Sequence, residues 1–240
     1  MCARLIRVCL TWIVLLSVVV PEKEVLADES RAGLLKFAVQ EANGNKVTRQ
    51  LLVTPKMLRI EDLGQDRGYI LYDREARTIY SVTPEERSIL VIQPQSESLQ
   101  TPQGMRLKVE QLAGFDGPAI GGSKPQHWRL IVNDTTCRNV ILVPGLMLDA
   151  LKAYGDYLAL LANQHYLSLG AIPAEYRDSC DDAIHVFAPD LLLKKGLPIR
   201  VWDQLGNRER LLDYSSQHRV SSNLFRLPED YEQVPMNGMR

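Results

Sequence analysis

The fold of this chain is decided by residues 68–92, which read GYILYDREARTIYSVTPEERSILVI. Three apolar segments, at 68–72, 78–82 and 88–92, follow one another at a spacing of about ten residues, as short strands do. The polar segments DREAR and TPEER separate them and are typical of turns. Because a parallel crossover needs about a dozen residues or more, these short connections predict a meander of antiparallel strands.

The strand pattern continues on both sides of this meander. Upstream, Leu35, Phe37 and Val39 alternate with Lys36, Ala38 and Gln40, which predicts a half-buried strand. Further strands are predicted at 47–53, 57–62, 107–112, 127–132 and 138–143, and a hairpin at 199–202 and 208–214. The pattern therefore predicts a mostly β chain of the α+β class.

One segment has helical periodicity instead. From Leu146 to Leu167, the apolar residues form a stripe that comprises Met147, Leu151, Tyr154, Leu158 and Leu161. The charges of Asp149, Lys152 and Asp156 exclude a membrane span. Two interpretations remain open, because amphipathicity alone does not separate them: the helix packs on a sheet, or it forms a lid over a concave cavity.

The first 27 residues have the pattern of a signal peptide. Arg4 and Arg7 precede an apolar run from Val8 to Val20, and Val25-Leu26-Ala27 forms an A-x-A-like cleavage site. We expect a mature chain that begins at Asp28 and is exported to the periplasm. The alternative is an uncleaved amphipathic anchor, although the run is short for a hydrocarbon core of about 30 Å.

Cleavage leaves Cys137 and Cys180 as the remaining cysteines. An even pair in an exported protein predicts a disulfide bond. A redox or metal-binding pair is the alternative, but the two residues lack Cys-x-x-Cys spacing, and two cysteines alone do not form a zinc site.

Motifs of enzyme chemistry are absent from the sequence. His127, His165, His185 and His218 form no His-x-x-x-His or His-Glu-x-x-His pair, and no Gly-x-Ser-x-Gly nucleophile elbow is found. We therefore expect no catalytic residue, no metal and no cofactor. The net charge of −1 gives no electrostatic basis for binding nucleic acid or an anionic membrane surface.

Near the C-terminus, the residues of a predicted strand alternate in character. Arg208 and Arg210 share one side of this strand, and Glu209 lies on the other. We interpret the two arginines as part of a solvated face rather than as a binding patch.

Several stretches resemble the outer-membrane lipoprotein carrier (LolA) superfamily, and in particular its uncharacterised periplasmic relatives. YDREARTIY at 72–80, followed by Pro84 and EER at 85–87, is similar to the central hairpins of that family. GLPIRVW at 196–202, Gly206-Asn207, and LFRLP at 224–228 followed by Tyr231 are similar to its closing hairpin and C-terminal ending. Trp128 matches in position. The resemblance covers roughly residues 33–235 and supports a fold more than a function.

The resemblance implies a strongly curved antiparallel sheet that forms an open half-barrel, with a long helix and shorter helices on its concave side. Residues 28–240 would form one domain with a disulfide-linked helical insertion at about 137–196. Family members with known roles shield acyl chains in the concavity.

Three classes of function follow. The first is a non-enzymatic periplasmic binding protein for a lipid or lipoprotein acyl chain. The second is a cell-envelope interaction or regulatory scaffold, whose cavity is filled by its own helix and which binds an envelope protein. A hydrolase ranks last. For the first class, the candidate ligand-binding residues on the concave face are Leu35, Phe37, Ile70, Tyr72, Leu130, Met147, Leu151 and Tyr154.

Overall fold

The computed structural model describes residues 29–64, 68–95, 99–173 and 176–236. The expected signal peptide and its cleavage site lie outside these residues. The strands are β1 (Glu29–Gln40), β2 (Lys46–Val53), β3 (Met57–Leu63), β4 (Tyr69–Asp73), β5 (Thr78–Thr83), β6 (Ser88–Ile92), β7 (Leu107–Leu112), β8 (Gln126–Val132), β9 (Thr135–Val143), β10 (Leu197–Trp202), β11 (Arg208–Ser221) and β12 (Glu232–Pro235). The helices are α1 (Leu148–Leu169) and α2 (Ser179–Asp182), with a π-helical turn at Ala183–Phe187 and 3-10 turns at Leu193–Lys195 and Ser222–Phe225.

All of these strands belong to one open, curved sheet of 12 strands in the order β12-β6-β5-β4-β3-β2-β1-β11-β10-β9-β8-β7. Two antiparallel meanders, β1–β6 and β7–β11, are joined where β1 pairs with β11. The described chain is thus mostly β and roughly α+β, as the alternating segments predict.

The last strand departs from the expected antiparallel pattern. β12 pairs with β6 in parallel, with Glu232 opposite Ser88. The segment between β11 and β12 takes the chain from the middle of the sheet to its edge. There β12 runs in the same direction as its neighbour β6. The Glu232 N–H donates to the Arg87 carbonyl at 2.9 Å, and Arg87 forms an ion pair with Asp230, which holds this return in place.

Strand β1, in the middle of the sheet, is buried on both faces. Leu35 and Phe37 point to the face that α1 covers, which we call the helix face. Leu34 points to the opposite face, where it packs with Leu52 and with Phe225 from the C-terminal 3-10 turn. The sequence pattern predicts a half-buried strand. The structure buries the other face as well, because the C-terminal 3-10 turn, which is distant in the sequence, packs on it.

Helix α1 packs on the helix face through small and aromatic residues. Ala150 and Ala153 are buried and let the helix backbone approach the sheet, while Tyr157 makes an edge contact with Tyr72 of β4. The helix starts and ends two residues later than the predicted span of 146–167. Met147 precedes it with a φ of 54°, so the chain turns sharply before the first helical residue.

The helical segment between β9 and β10 is tied back to the sheet. The structure joins Cys137 of β9 to Cys180 of α2 in a disulfide, with their Cα atoms 5.2 Å apart. A third core cluster forms around this bond and includes Leu130, Val132 and Ala183. Within the described ranges, no helix is both long and apolar enough to cross a bilayer.

Candidate ligand cavity

A cavity of about 520 Å³ lies between one end of the helix face and the helical segment that the disulfide anchors. Five strands are consecutive neighbours here, in the order β1, β11, β10, β9 and β8, and each pair is antiparallel. The turns after β1, β10 and β8 therefore lie at the same end of the sheet. The lining is mixed apolar and polar, and it includes Val39, Arg49, Leu130, Arg138, Val140, Tyr154, Leu158, Ile184, His185, Leu192, Val201, Trp202 and Glu209.

The strand register explains the floor of the cavity. Val39 of β1 lies opposite Glu209 of β11, and Glu209 lies opposite Val201 of β10. Val201 is paired in turn with Val140 of β9. Because paired residues project to the same side of a sheet, these four side chains cross four strands on one face.

The floor extends toward the edge of the sheet through Arg138. This residue lies two positions from Val140 on β9, and therefore on the same face. Leu130 of β8 lies directly opposite it. Arg138 also follows Cys137, so the disulfide fixes the backbone beside it to α2.

The roof combines the long helix with the anchored segment. Tyr154 and Leu158 of α1 line one part of it, and Ile184, His185 and Leu192 line another. Because α1 and the π-helical turn belong to one segment between β9 and β10, and the Cys137–Cys180 bond joins this segment to β9, the roof is attached to the floor at Cys137.

The rim is set by contacts between two turns. The backbone N–H of Ala42 donates to Oδ1 of Asn207 at 2.8 Å. The backbone N–H and the side-chain amide of Asn207 donate to the carboxylate of Asp203 at 3.0 and 2.7 Å. Leu205, at the tip of this hairpin, is 77% exposed, so the cavity opens to solvent here.

Two opposite charges face the cavity without a direct partner. In the described part of the chain, the side chains of Arg138 and Glu209 have neither a hydrogen bond nor an ion pair within 4 Å. Burial lowers the pKa of Arg138, although Glu209 and Tyr154 counteract the effect, and the guanidinium stays protonated. Burial raises the pKa of the Glu209 carboxyl, although Arg138 and Arg49 act in the other direction.

A neutral hydroxyl faces the same space. Burial raises the pKa of the Tyr154 phenol, with Glu209 as the next contribution, so the group remains protonated and can donate a hydrogen bond. Tyr154 lines the cavity and stacks on Tyr157, with their ring centroids 6.1 Å apart.

Two other titratable groups in the lining have side-chain partners. The Arg49 guanidinium donates to both carboxylate oxygens of Asp62, at 2.8 and 3.0 Å. His185 lies 3.5 Å from Asp181, and burial lowers the pKa of its imidazole. The Arg49 charge is therefore neutralised within the protein.

The eight residues predicted to bind a ligand fall into two groups. Leu130 and Tyr154 line the cavity. The others contribute to the core between α1 and the sheet: Leu35, Phe37, Tyr72 and Leu151 are buried there, and Ile70 and Met147 pack against it. The structure therefore brings two of the eight to the cavity and the other six to the helix–sheet interface.

Sequence reasoning missed Arg138 and Glu209. The alternation of β11 contained a signal, because Glu209 lies on the same side as the apolar Leu211. An acidic residue on the apolar side of a strand indicates a polar site in a core. Arg138 carries no comparable signal, since its neighbours Cys137 and Asn139 do not define a face.

The chemical groups that line the cavity indicate what kind of molecule it can hold. Among the residues that the structure describes, no group of three or more His, Cys, Asp or Glu side chains could hold a metal ion. The cavity instead combines apolar walls, two charges of opposite sign and a phenolic donor. Such a set complements a molecule that is apolar over most of its length and charged at one end.

No protein-family model and no curated protein matches this chain. Among solved structures, a conserved, uncharacterised protein of Thermus thermophilus aligns over 88% of this chain and 91% of its own, with a TM-score of 0.41 and 8% identity. Two structures of PNGF-II align over 87% of this chain, with TM-scores of 0.43 and 0.39 and identities of 9% and 6%. The match covers 32% of PNGF-II in each case.

Proposed function

We propose that this protein is a non-enzymatic periplasmic binding protein that holds one acyl chain, of a lipid or a lipoprotein, in the cavity beside α1. The open, curved sheet is taken as a half-barrel whose concave side faces α1 and the shorter helices. The observation that carries the proposal is the solvent-open cavity of about 520 Å³.

The size and walls of the cavity support this proposal. Ligand sites commonly have volumes of about 300–1,000 Å³ and combine apolar surface with a few placed polar groups. Val140, Leu158, Ile184 and Leu192 supply apolar surface from both floor and roof. Each methylene of a chain that is moved from water to such a surface contributes about 0.8 kcal/mol.

The sequence and the cysteine pair support the proposed compartment. An N-terminal signal peptide would direct the chain to the periplasm, and disulfide bonds persist in that oxidising compartment. The Cys137–Cys180 bond holds the roof of the cavity against its floor, so an oxidising location also preserves the proposed site.

The test is extraction of the protein purified from the periplasm without detergent, with mass spectrometry of the organic phase. Val201→Phe places a larger side chain on the cavity floor, whereas Leu212→Phe changes a 43% exposed residue outside the lining. We expect an acyl-chain compound with the wild type and with Leu212→Phe, and much less with Val201→Phe. Absence of such a compound from the wild type, or equal amounts in all three proteins, would overturn the proposal.

A cell-envelope scaffold is the second candidate, and the packing of α1 favours it. The helix fills the space over β1–β4 with its own side chains, including Leu151 and Tyr157. A scaffold of this kind needs no ligand, so an empty wild-type protein in the extraction experiment would favour it over the binding protein.

A further inference from the structure

Arg138 and Glu209 lie on the same face of the sheet but not on neighbouring strands. Arg138 is on β9 and Glu209 is on β11, with β10 between them. The two strands are therefore about 10 Å apart, at two strand spacings. In the described ranges no ion pair within 4 Å joins the two side chains.

Both side chains are partly exposed, so water solvates their charges only in part. A charge that is partly removed from water is more favourable when it is paired or hydrogen-bonded. The chain satisfies this requirement elsewhere in the lining, where Arg49 binds Asp62 and Asp203 binds Asn207. Arg138 and Glu209 are thus available to groups that enter the cavity.

We propose that Arg138 and Glu209 bind the head of a zwitterionic, single-chain amphiphile, with Arg138 on its phosphate or carboxylate and Glu209 on its ammonium group. This inference rests on the proposed function, because it takes the tail to be the acyl chain held in the cavity. A guanidinium binds such anions through two parallel hydrogen bonds, and a carboxylate accepts from an ammonium.

The surroundings of the two charges support this division of roles. The Tyr154 phenol lines the same cavity and can donate a third hydrogen bond to the anionic group. Leu130 lies opposite Arg138, and Leu158 and Ile184 continue the apolar wall for the tail. Burial already raises the pKa of Glu209, and a bound ammonium would favour its ionised form.

The test compares three amphiphiles with the same dodecyl tail: dodecylphosphoethanolamine, dodecyl phosphate and dodecylamine. Each is titrated calorimetrically, below its micelle concentration, into the full mature chain after lipid removal. We expect the zwitterion to bind about tenfold more tightly than either singly charged compound, as one additional charge-assisted hydrogen bond would give.

Substitutions then test which group of the ligand each of the two charged residues binds. Glu209→Gln should lower the affinity for the zwitterion to that for dodecyl phosphate, and Arg138→Met should lower it to that for dodecylamine. Arg210→Met, on the other side of β11, and Glu232→Gln, on β12, are exposed controls that should leave all three affinities unchanged. Melting curves confirm that each variant is folded.

The outcomes separate the two proposals. Equal affinities of the wild type for the three compounds would overturn the zwitterion while leaving acyl-chain binding in place. Retention of the zwitterion preference in folded Glu209→Gln and Arg138→Met proteins would overturn the roles of these residues. Failure of the wild type to bind any dodecyl compound would overturn both proposals.

Discussion

Arg74, in the turn between β4 and β5, donates two hydrogen bonds to the carboxylate of Asp149 in the first turn of α1, at 2.6 and 3.1 Å. The same guanidinium donates to the carbonyl of Thr54, in the turn between β2 and β3, at 2.6 Å. Asp149 also lies at the helix end where a negative charge is favourable. One side chain therefore joins the start of the roof helix to two turns of the sheet.

We expect this pair to position α1 measurably. In a double-mutant cycle of Arg74→Met and Asp149→Asn, the coupling free energy should be about 1 kcal/mol, because the Arg74 side chain is only 12% exposed. The exposed pair Lys152–Asp156 is the control and should give about 0.3–0.5 kcal/mol. Urea unfolding measures both, and a coupling no larger than the control would contradict the prediction.

The disulfide should stabilise the chain strongly. Cys137 and Cys180 are 43 positions apart, and closing a loop of this length contributes about 4 kcal/mol in the loop-entropy treatment. The Cys137→Ser/Cys180→Ser double variant should therefore melt at a lower temperature than the oxidised wild type. Reduction of the wild type should lower its melting temperature to that of the variant. Two titratable thiols in denatured, unreduced wild type would show that the bond is absent.

Replacement of Glu209 should change how stability depends on pH. Burial raises the carboxyl pKa in the folded state, so the folded chain holds this proton more tightly than the unfolded chain. The Glu209 contribution to stability consequently falls as the pH rises from its unfolded pKa of about 4.3 through its folded pKa. Glu209→Gln removes this loss and should gain stability relative to the wild type over that window.

Urea unfolding at several pH values measures this difference. The exposed Glu232→Gln variant is the matched control and should run parallel to the wild type. A constant difference between Glu209→Gln and wild type across the window would mean that the Glu209 pKa is not raised by folding.

Core and cavity positions should respond differently to the same truncation. Leu35 is fully buried beneath α1, so Leu35→Ala should cost about 2–5 kcal/mol of unfolding free energy. Leu158 is only partly buried and faces the cavity, so Leu158→Ala removes fewer contacts and should cost less. Denaturant unfolding of lipid-free protein checks both, and equal costs would indicate that the space beside Leu158 is filled.

Export should leave a mature N-terminus at Asp28. The basic residues, the apolar run and the Val25-Leu26-Ala27 site together predict cleavage after Ala27. Intact-mass analysis of the periplasmic protein measures this directly. A species that retains residues 8–20 would support the uncleaved anchor instead.

The sequence predicted those features that depend on short-range patterns. Alternation and polar turns located strands β4, β5 and β6 within residues 68–92, and a change of period located α1 to within two residues at each end. These predictions succeed because a side chain faces the core or the solvent according to its position along a single element.

Only the tertiary structure decided the location of the cavity. Arg138 and Glu209 are far apart in the sequence, and they lie on one face of the sheet because β9, β10 and β11 pair in a particular register. The tertiary structure also decided that Phe225 packs against Leu34 and that β12 pairs in parallel with β6. Alternation along a strand shows which residues share a face, but it does not identify the neighbouring strands. Pairing and packing between distant segments decide which face is covered and which residues lie side by side. The site itself could therefore not be predicted from the sequence.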